Sequence, residues 1–206
     1  MEFYQVVNAR KTVRDFKNIE VPLDVLERVL DAGLKAPTHD HLRNWEFVVL
    51  KEKEDKERAL QFVVVSAKKQ EEAAMPTFAP GSSQRKMYAD AMPKQYSMLH
   101  ESSYLVLPFF KAGPGMLHPS SVSALNPISS IWCCIENIFL AATAESLACS
   151  MRIPVGEEGP KVAKVVGAPE GYILPCYIGI GYPAEDAVVL EQNEYTAKQK
   201  MHFGTW

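Results

Sequence analysis

One stretch limits the possible folds more than any other. Ile131 to Leu147 reads IWCCIENIFLAATAESL and is apolar nearly all round when wound as a helix. A helix without a polar face is enclosed by the rest of a fold rather than laid on its surface. The pattern therefore predicts a central buried helix with the other elements packed about it. Glu136, Asn137 and Glu145 interrupt the run, and no stretch of the chain reads as long and apolar enough to cross a bilayer. Glu136 needs a partner wherever it is buried, because an unpaired buried charge is costly.

The other elements follow from spacing and punctuation. Phe3, Val6 and Val7 mark a short first helix over Met1–Asn8. Pro22 opens a second, with Leu23, Leu26, Leu30 and Leu34 along one face and Pro37 closing it. Trp45–Leu50 reads as a strand and Lys53–Lys69 as a charged amphipathic helix. MYADAMPKQYSMLHESS holds a further helix, and Tyr104–Phe110 is a buried strand. Gly159–Val166 is a short helix that Gly167 stops, and Tyr172–Pro183 is a core strand ending in a turn. The tail from Ala184 to Trp206 has no strong period and ends in aromatics. Strands and helices mix without strict alternation and nothing repeats. The expectation is one α+β domain spanning 1–206, long enough to bury a sizeable core.

Composition excludes some functions. Net charge is −3, and lysine and arginine are spread thinly outside one short segment, which argues against a general nucleic-acid binder. No G-x-G-x-x-G or G-x-x-x-x-G-K-[ST] loop occurs. The start MEFYQVV lacks a basic region and a cleavable apolar run, so secretion is not expected. Cys133, Cys134, Cys149 and Cys176 form no C-x-x-C pair and read as buried free thiols in a reducing compartment, the cytoplasm.

Two segments carry candidate chemistry. NARKTVRDF, Asn8 to Phe16, gathers Arg10, Lys11 and Arg14 around Thr12. Guanidinium forks and a hydroxyl suit a phosphate; a solvated basic turn at a helix C-terminus is the plainer reading. KAPTHDHLRNWEF, Lys35 to Phe47, offers Lys35, Thr38, His39, His41 and Arg43 ahead of an aromatic strand. His-x-His without a third ligand is weak evidence for metal. The loop can instead bind an anionic or heteroaromatic ligand.

Together these segments resemble the N-terminal half of the nitroreductase family, with its R-x-S-x-R-x-F and A-P-S-x-x-N-x-Q-P-W-x-F motifs. The histidine-bearing loop is similar to the branch of small NAD(P)H nitroreductases. CCIENIFLAATAESLACSMRIP, YIGIGYPAED and MHFGTW resemble that family's later segments in the same order, while Lys68 to Tyr104 is only weakly covered. The resemblance implies an intertwined homodimer with a central, mostly antiparallel sheet flanked by helices, and FMN bound non-covalently at the subunit interface. Arg10, Lys11, Thr12 and Arg14 would hold the phosphate, ribityl chain and pyrimidine edge. Lys35 and His39, with His41 beside them, match positions that reach the flavin of the other subunit. Met151, Arg152, Ile153 and Pro154 match the segment whose backbone lines the ring. The chain departs from the family pattern at His41, Arg43–Asn44 and Glu136, and has no clear match to a basic pair near the C-terminus. Asn193, Glu194 and Tyr195 fall near that place, with Lys198 or Lys200 as substitutes.

The activity so implied is FMN-dependent oxidation of NAD(P)H, with a nitroaromatic, quinone or similar acceptor reduced by alternate binding. The flavin carries the chemistry, so no catalytic side chain is required. The family also has dehalogenating and flavin-cleaving branches, and no residue here favours either. A non-catalytic flavin-binding or redox-sensing protein is the alternative. AAMPTFAPGSSQRKMYADAMPK and KAGPGMLHPSSVSALNP are irregular enough to shape an acceptor pocket through Phe78, Met87, Tyr88, Met92, Met116 or His118. Trp45, Phe47 and Trp206 read as packing residues, and Trp132 as either core or flavin-facing.

Overall fold

In the computed structural model, which describes residues 1–64, 78–113, 116 and 118–206, a strand buried on both faces organises everything else. Strand β2 (Tyr104–Lys111) pairs antiparallel with β1 (Trp45–Leu50) on one side. On its other side it pairs with β5 (Tyr177–Gly181) and the two-residue β4 (Tyr172–Ile173). Strand β3 (Ala148–Arg152) completes the sheet beyond β5, in the order β1-β2-β5-β3. Successive side chains of a strand point to opposite faces. Tyr104, Val106 and Phe110 accordingly enter one core cluster, and Leu105, Leu107 and Phe109 the other.

Helices cover both faces. Helices α2 (Leu23–Gly33) and α6 (Asn126–Ala144) pack on the first, through Leu26, Val29, Ile131, Cys134, Ile135 and Ile138. The second face carries α3 (Lys53–Leu60), α5 (Ser97–His100) and α7 (Glu158–Val165), through Ala59, Leu60, Met98, Leu99 and Val162. Helices α1 (Phe3–Ala9) and α4 (Ser83–Ala91) complete the described set. Gly33 lets α2 approach α6, since a Cβ there would lie 2.7 Å from Ile138 Cγ1.

Several expectations are corrected. The buried stripe of α2 is Leu26, Val29 and Gly33; Leu23 is exposed, since it opens the helix at its solvent end. The strand expected over Tyr172–Pro183 is split. Between the two pairings, residues 107–109 of β2 face 174–177, so this stretch carries one residue more than the strand opposite. Pro108, with no N–H to donate, lies across from this interruption. Strand β3 was not expected, because ACSMR has neither alternation nor β-branched residues. Helix α6 begins earlier than expected. With the turn before it, Val122–Ala144 is long and apolar enough by composition to cross a bilayer, because this window excludes Glu145. In the fold it is the helix packed between α2 and the sheet. MYADAMPKQYSMLHESS belongs to two helices, α4 and α5. Residues 65–69 of the helix expected over Lys53–Lys69, and Pro114, Gly115 and Leu117, lie outside the described residues, as do residues 73–77 of the first irregular stretch.

Candidate functional site

The basic segment folds as an irregular strand along the outer edge of β3. Thr12 forms a parallel bridge with Cys149, and the Val13 N–H donates to the Cys149 carbonyl at 3.0 Å. Further on, the Lys17 N–H donates to the Tyr182 carbonyl at 2.9 Å and the Ala184 N–H to the Asp15 carbonyl at 3.0 Å. The bridge sets Thr12 beside Cys149, two residues before Met151, and from Asp15 on the segment lies along residues 182–184, which follow Gly181, the partner of Ala148 at the start of β3. The two segments that the sequence marks for one ligand are neighbours in space.

The cations of this segment are used differently. Arg10 Nε lies 3.3 Å from Glu136 Oε1, which gives the charge on α6 its partner; Glu136 is half exposed. Arg14 Nη1 donates to Asp90 Oδ2 at 3.1 Å, with both side chains nearly buried. Lys94 Nζ donates to Asp90 Oδ1 and Asp15 Oδ2, each at 2.7 Å. Arg14, Lys94, Asp90 and Asp15 thus form a balanced quartet tying α4 to the segment. Lys11 donates to the neutral Gln192 Oε1 at 3.4 Å, and no acidic partner for it is found among the described residues. Beneath Thr12, burial pushes the Cys149 thiol up to about 12, with nearby Arg10 acting in the opposite direction, so the sulfur adds no negative charge near the cations.

A cleft of about 310 Å³ opens over this edge. Lys11, Thr12 and Arg14 form its floor, Ser83, Gln84 and Met87 of α4 one wall, and residues 189–193 of the tail another. The tail therefore reaches the cleft through Gln192 and Asn193, the latter donating to Ser83 Oγ at 3.4 Å. Lys200 sits instead over the Tyr195 ring, 4.4 Å from its centroid. Gln192, Asp90 and Lys94 were missed from sequence. Asp90 and Lys94 have the spacing of a helical ion pair, but Asp90 meets Arg14 across 76 positions and Lys94 meets Asp15 across 79.

Lys35, His39 and His41 lie apart from that edge, near the start of α6. The His39 N–H donates to Ser130 Oγ at 3.0 Å, while Lys35 and His41 are exposed. Asp40, His41 and Arg43 have φ of 50°, 52° and 44°, a left-handed geometry that non-glycine residues adopt at a cost and that clusters at functional sites. Arg43 Nε donates to the Leu34 carbonyl at 3.3 Å, closing the end of α2. Arg152 turns inward: its side chain is buried and pairs with Glu158, so only its backbone faces the site, beside half-buried Met151 and exposed Ile153. Of the expected acceptor-pocket residues, Met87 lines the cleft. Phe78 and Tyr88 stack on each other with centroids 4.6 Å apart. Met92 and Met116 are buried, and His118 is exposed. Trp45 is buried, and Phe47 and Trp132 pack on the same cluster. Trp206 is fully exposed and, among the described residues, stacks on His202 alone, so its expected packing role is not found among them. Cys133, expected buried, is exposed on the side of α6 turned away from the sheet.

Comparison with known proteins places the fold and the family. The chain is 27% identical over 206 residues to iodotyrosine deiodinase 1 of Mus musculus, covering 97% of this chain and 68% of that protein. Its fold matches a crystal structure of oxidized iodotyrosine deiodinase bound to FMN and 3-iodo-L-tyrosine with a TM-score of 0.75, at 20% identity over 99% of this chain and 100% of that one. It matches a nitroreductase with bound FMN from Bacteroides fragilis with a TM-score of 0.65, at 23% identity over 96% of each chain. The sequence model described as the Nitroreductase family covers residues 7–182, and the chain belongs to that family.

Proposed function

We propose that this chain is an FMN-dependent oxidoreductase that uses NAD(P)H and a small electron acceptor. The observation that carries the reading is the Thr12–Cys149 bridge, which sets a cationic segment parallel to the strand that ends in Met151–Pro154. The donor set suits a phosphate ester. Lys11 offers an ammonium with no described acidic partner, and Thr12 a hydroxyl. Arg10 offers a fork engaged only through Nε among the described residues. Charge-assisted bonds from such groups are the stronger kind. Arg14, fixed by Asp90, lies two residues beyond Thr12 in the same segment, and a heteroaromatic ring with polar edges would follow the phosphate and its chain.

Bound there, FMN would supply the redox chemistry, taking a hydride from NAD(P)H and returning electrons to a second substrate at the same face. The protein's part is to bind, orient and exclude water. Exposed Ile153 and half-buried Met151 and Pro154 offer apolar surface to a ring, and Ile153 a backbone N–H. Met87 and the 189–193 segment narrow the opening. Lys35, His39 and His41 touch none of this within one chain. We therefore read the active form as a homodimer in which the second copy brings that loop to the ring, the whole of 1–206 acting as one cofactor-binding domain. An exposed tail with Phe203 at 87% and Trp206 at 101% of full exposure supports the same reading, since such residues find cover on a partner. Four unpaired cysteines agree with a reducing compartment, the cytoplasm.

A second reading concerns the acceptor. Two of the three relatives reported above carry the name iodotyrosine deiodinase, which favours reductive removal of halogen from a phenol. Purified protein should be yellow, and should oxidise NADH or NADPH when an acceptor is added. A panel of a nitroaromatic, a quinone and a halogenated tyrosine separates the readings by which acceptor is consumed. A colourless protein that takes up no added FMN refutes both.

A further inference from the structure

A buried ion pair closes the loop that follows β3. Arg152 is the last residue of β3 and Glu158 the first of α7, and between them lies Ile153–Glu157. Arg152 Nε donates to Glu158 Oε1 at 3.1 Å and Nη2 to Oε2 at 2.8 Å, a two-point fork with side chains 1% and 2% exposed. Arg152 Nη1 donates to Gln95 Oε1 at 2.6 Å. Gln95, itself buried, uses its Nε2 to donate to the Ala91 carbonyl at 2.9 Å, next to Asp90 and so to the quartet that holds Arg14. Gly156 turns the loop at φ 55°, and the Glu158 N–H donates to the Val155 carbonyl at 3.1 Å.

Stability alone explains this arrangement poorly. Desolvating two charges costs so much that apolar residues of similar volume often serve a core as well or better. A planar guanidinium on a carboxylate does supply direction, because both partners are fixed in one plane. Here that plane joins the two ends of one short loop. Alternation along the strand sends Arg152 to the face of the sheet that holds Gln95 and Glu158, and Met151 to the opposite face, where it packs on the first core cluster; Ile153, the first residue of the loop, is exposed.

We propose that Arg152, Glu158 and Gln95 are positioning residues: they hold loop 153–157 so that its backbone meets the flavin ring in one fixed geometry. This rests on the FMN reading above. The test replaces the pair by apolar residues, Arg152→Met with Glu158→Leu, in the full chain, and adds Arg152→Lys, which keeps the charge and loses the fork. Hydrogen exchange of the Ile153, Val155, Gly156 and Glu157 amides in cofactor-free protein reads the loop without reference to FMN. Faster exchange is expected in both variants, with the urea midpoint of the double variant close to wild type. In the FMN-loaded proteins the midpoint potential of the bound flavin should shift and kcat should fall about tenfold or more, since small misplacements of reacting groups are costly. A double variant that folds, binds FMN and keeps wild-type loop exchange, potential and kcat overturns the proposal. So does a loosened loop with an unchanged potential. If the double variant does not fold, Arg152→Lys decides on the same readings. Wild-type protein that binds no FMN refutes the cofactor reading instead, and the exchange experiment still decides whether the clamp holds the loop.

Discussion

Glu136 and a phosphate would compete for Arg10, and the competition can be measured. In the structure Arg10 pairs with Glu136 at 3.3 Å, with side chains 25% and 51% exposed. An ion pair this open is worth about 0.2–1 kcal/mol. Replacing Glu136 by Gln removes that competing charge, so FMN should bind about 1.4- to 5-fold more tightly. Arg10→Ala removes a charge-assisted bond worth about 1.5–3 kcal/mol, so affinity should fall by about tenfold to 150-fold. The decisive measurement is the double variant. If Glu136 acts through Arg10, its substitution has no effect once Arg10 is alanine, and the two single effects fail to add. Titration of apoprotein against the fluorescence of free FMN gives all four constants under one condition. Repeating the set at high salt should shrink the Glu136 effect, because exposed charges are screened. Unchanged affinity in Arg10→Ala refutes the assignment of Arg10 to the phosphate. A Glu136→Gln effect of the same size in both backgrounds refutes the competition.

Other outcomes follow from single features. A Cβ on Gly179 would lie 2.5 Å from Ser150 Oγ and 2.6 Å from the Met98 carbonyl, which are themselves hydrogen-bonded. Gly179→Ala should therefore destabilise by about 3 kcal/mol, seen as a lower urea midpoint with an unchanged slope. Burial lowers the Lys56 ammonium to about 8, although it donates to the Ser102 and Ser103 carbonyls at 2.5 and 3.2 Å. Between about pH 8 and the ordinary lysine value of 10.5 the unfolded chain holds the extra proton, so this group makes stability rise with pH across that window. Lys56→Met should remove that rise, and a pH profile of the same shape in both proteins counts against it. Light scattering at micromolar concentration should report twice the 23.0 kDa chain mass, and a monomer with FMN bound contradicts the dimer reading. Alanine at Phe78 and Tyr88, which stack on each other, should change acceptor preference while FMN content is kept; an unchanged acceptor profile removes them from the pocket.

What was legible in the sequence was local. Trp45–Leu50 is a strand at the expected bounds because an aromatic and β-branched run stands between polar stretches. Helix α7 ends near Gly167, which takes a φ of 71° where other residues resist it. The basic segment announced itself by charge density alone. What stayed hidden depended on residues far apart in the chain. Nothing in ACSMR marks an edge strand; it becomes one because β5 supplies its ladder and Thr12 leans on its free side. Gln192 meets Lys11 across 181 positions and Asp90 meets Arg14 across 76. No periodicity records either pairing.

Arg152 shows the same limit at the site itself. Its number came from matching a motif, which implied only that backbone near Met151–Pro154 faces a ring. A positive charge in a segment beside a cationic cluster reads naturally as one more phosphate ligand. Strand geometry decides otherwise: Cys149 and Met151 pack on the first core cluster, so Arg152 points to the opposite face of the sheet, where Gln95 and Glu158 lie. Once inward it needed a buried carboxylate, and Glu158 lies six positions on, at the first turn of the next helix. The sequence contains both residues in plain view. Only the parity of β3, fixed by its register of Arg152 against Tyr177, turns this side chain away from the cations of the edge and into the core beside Glu158.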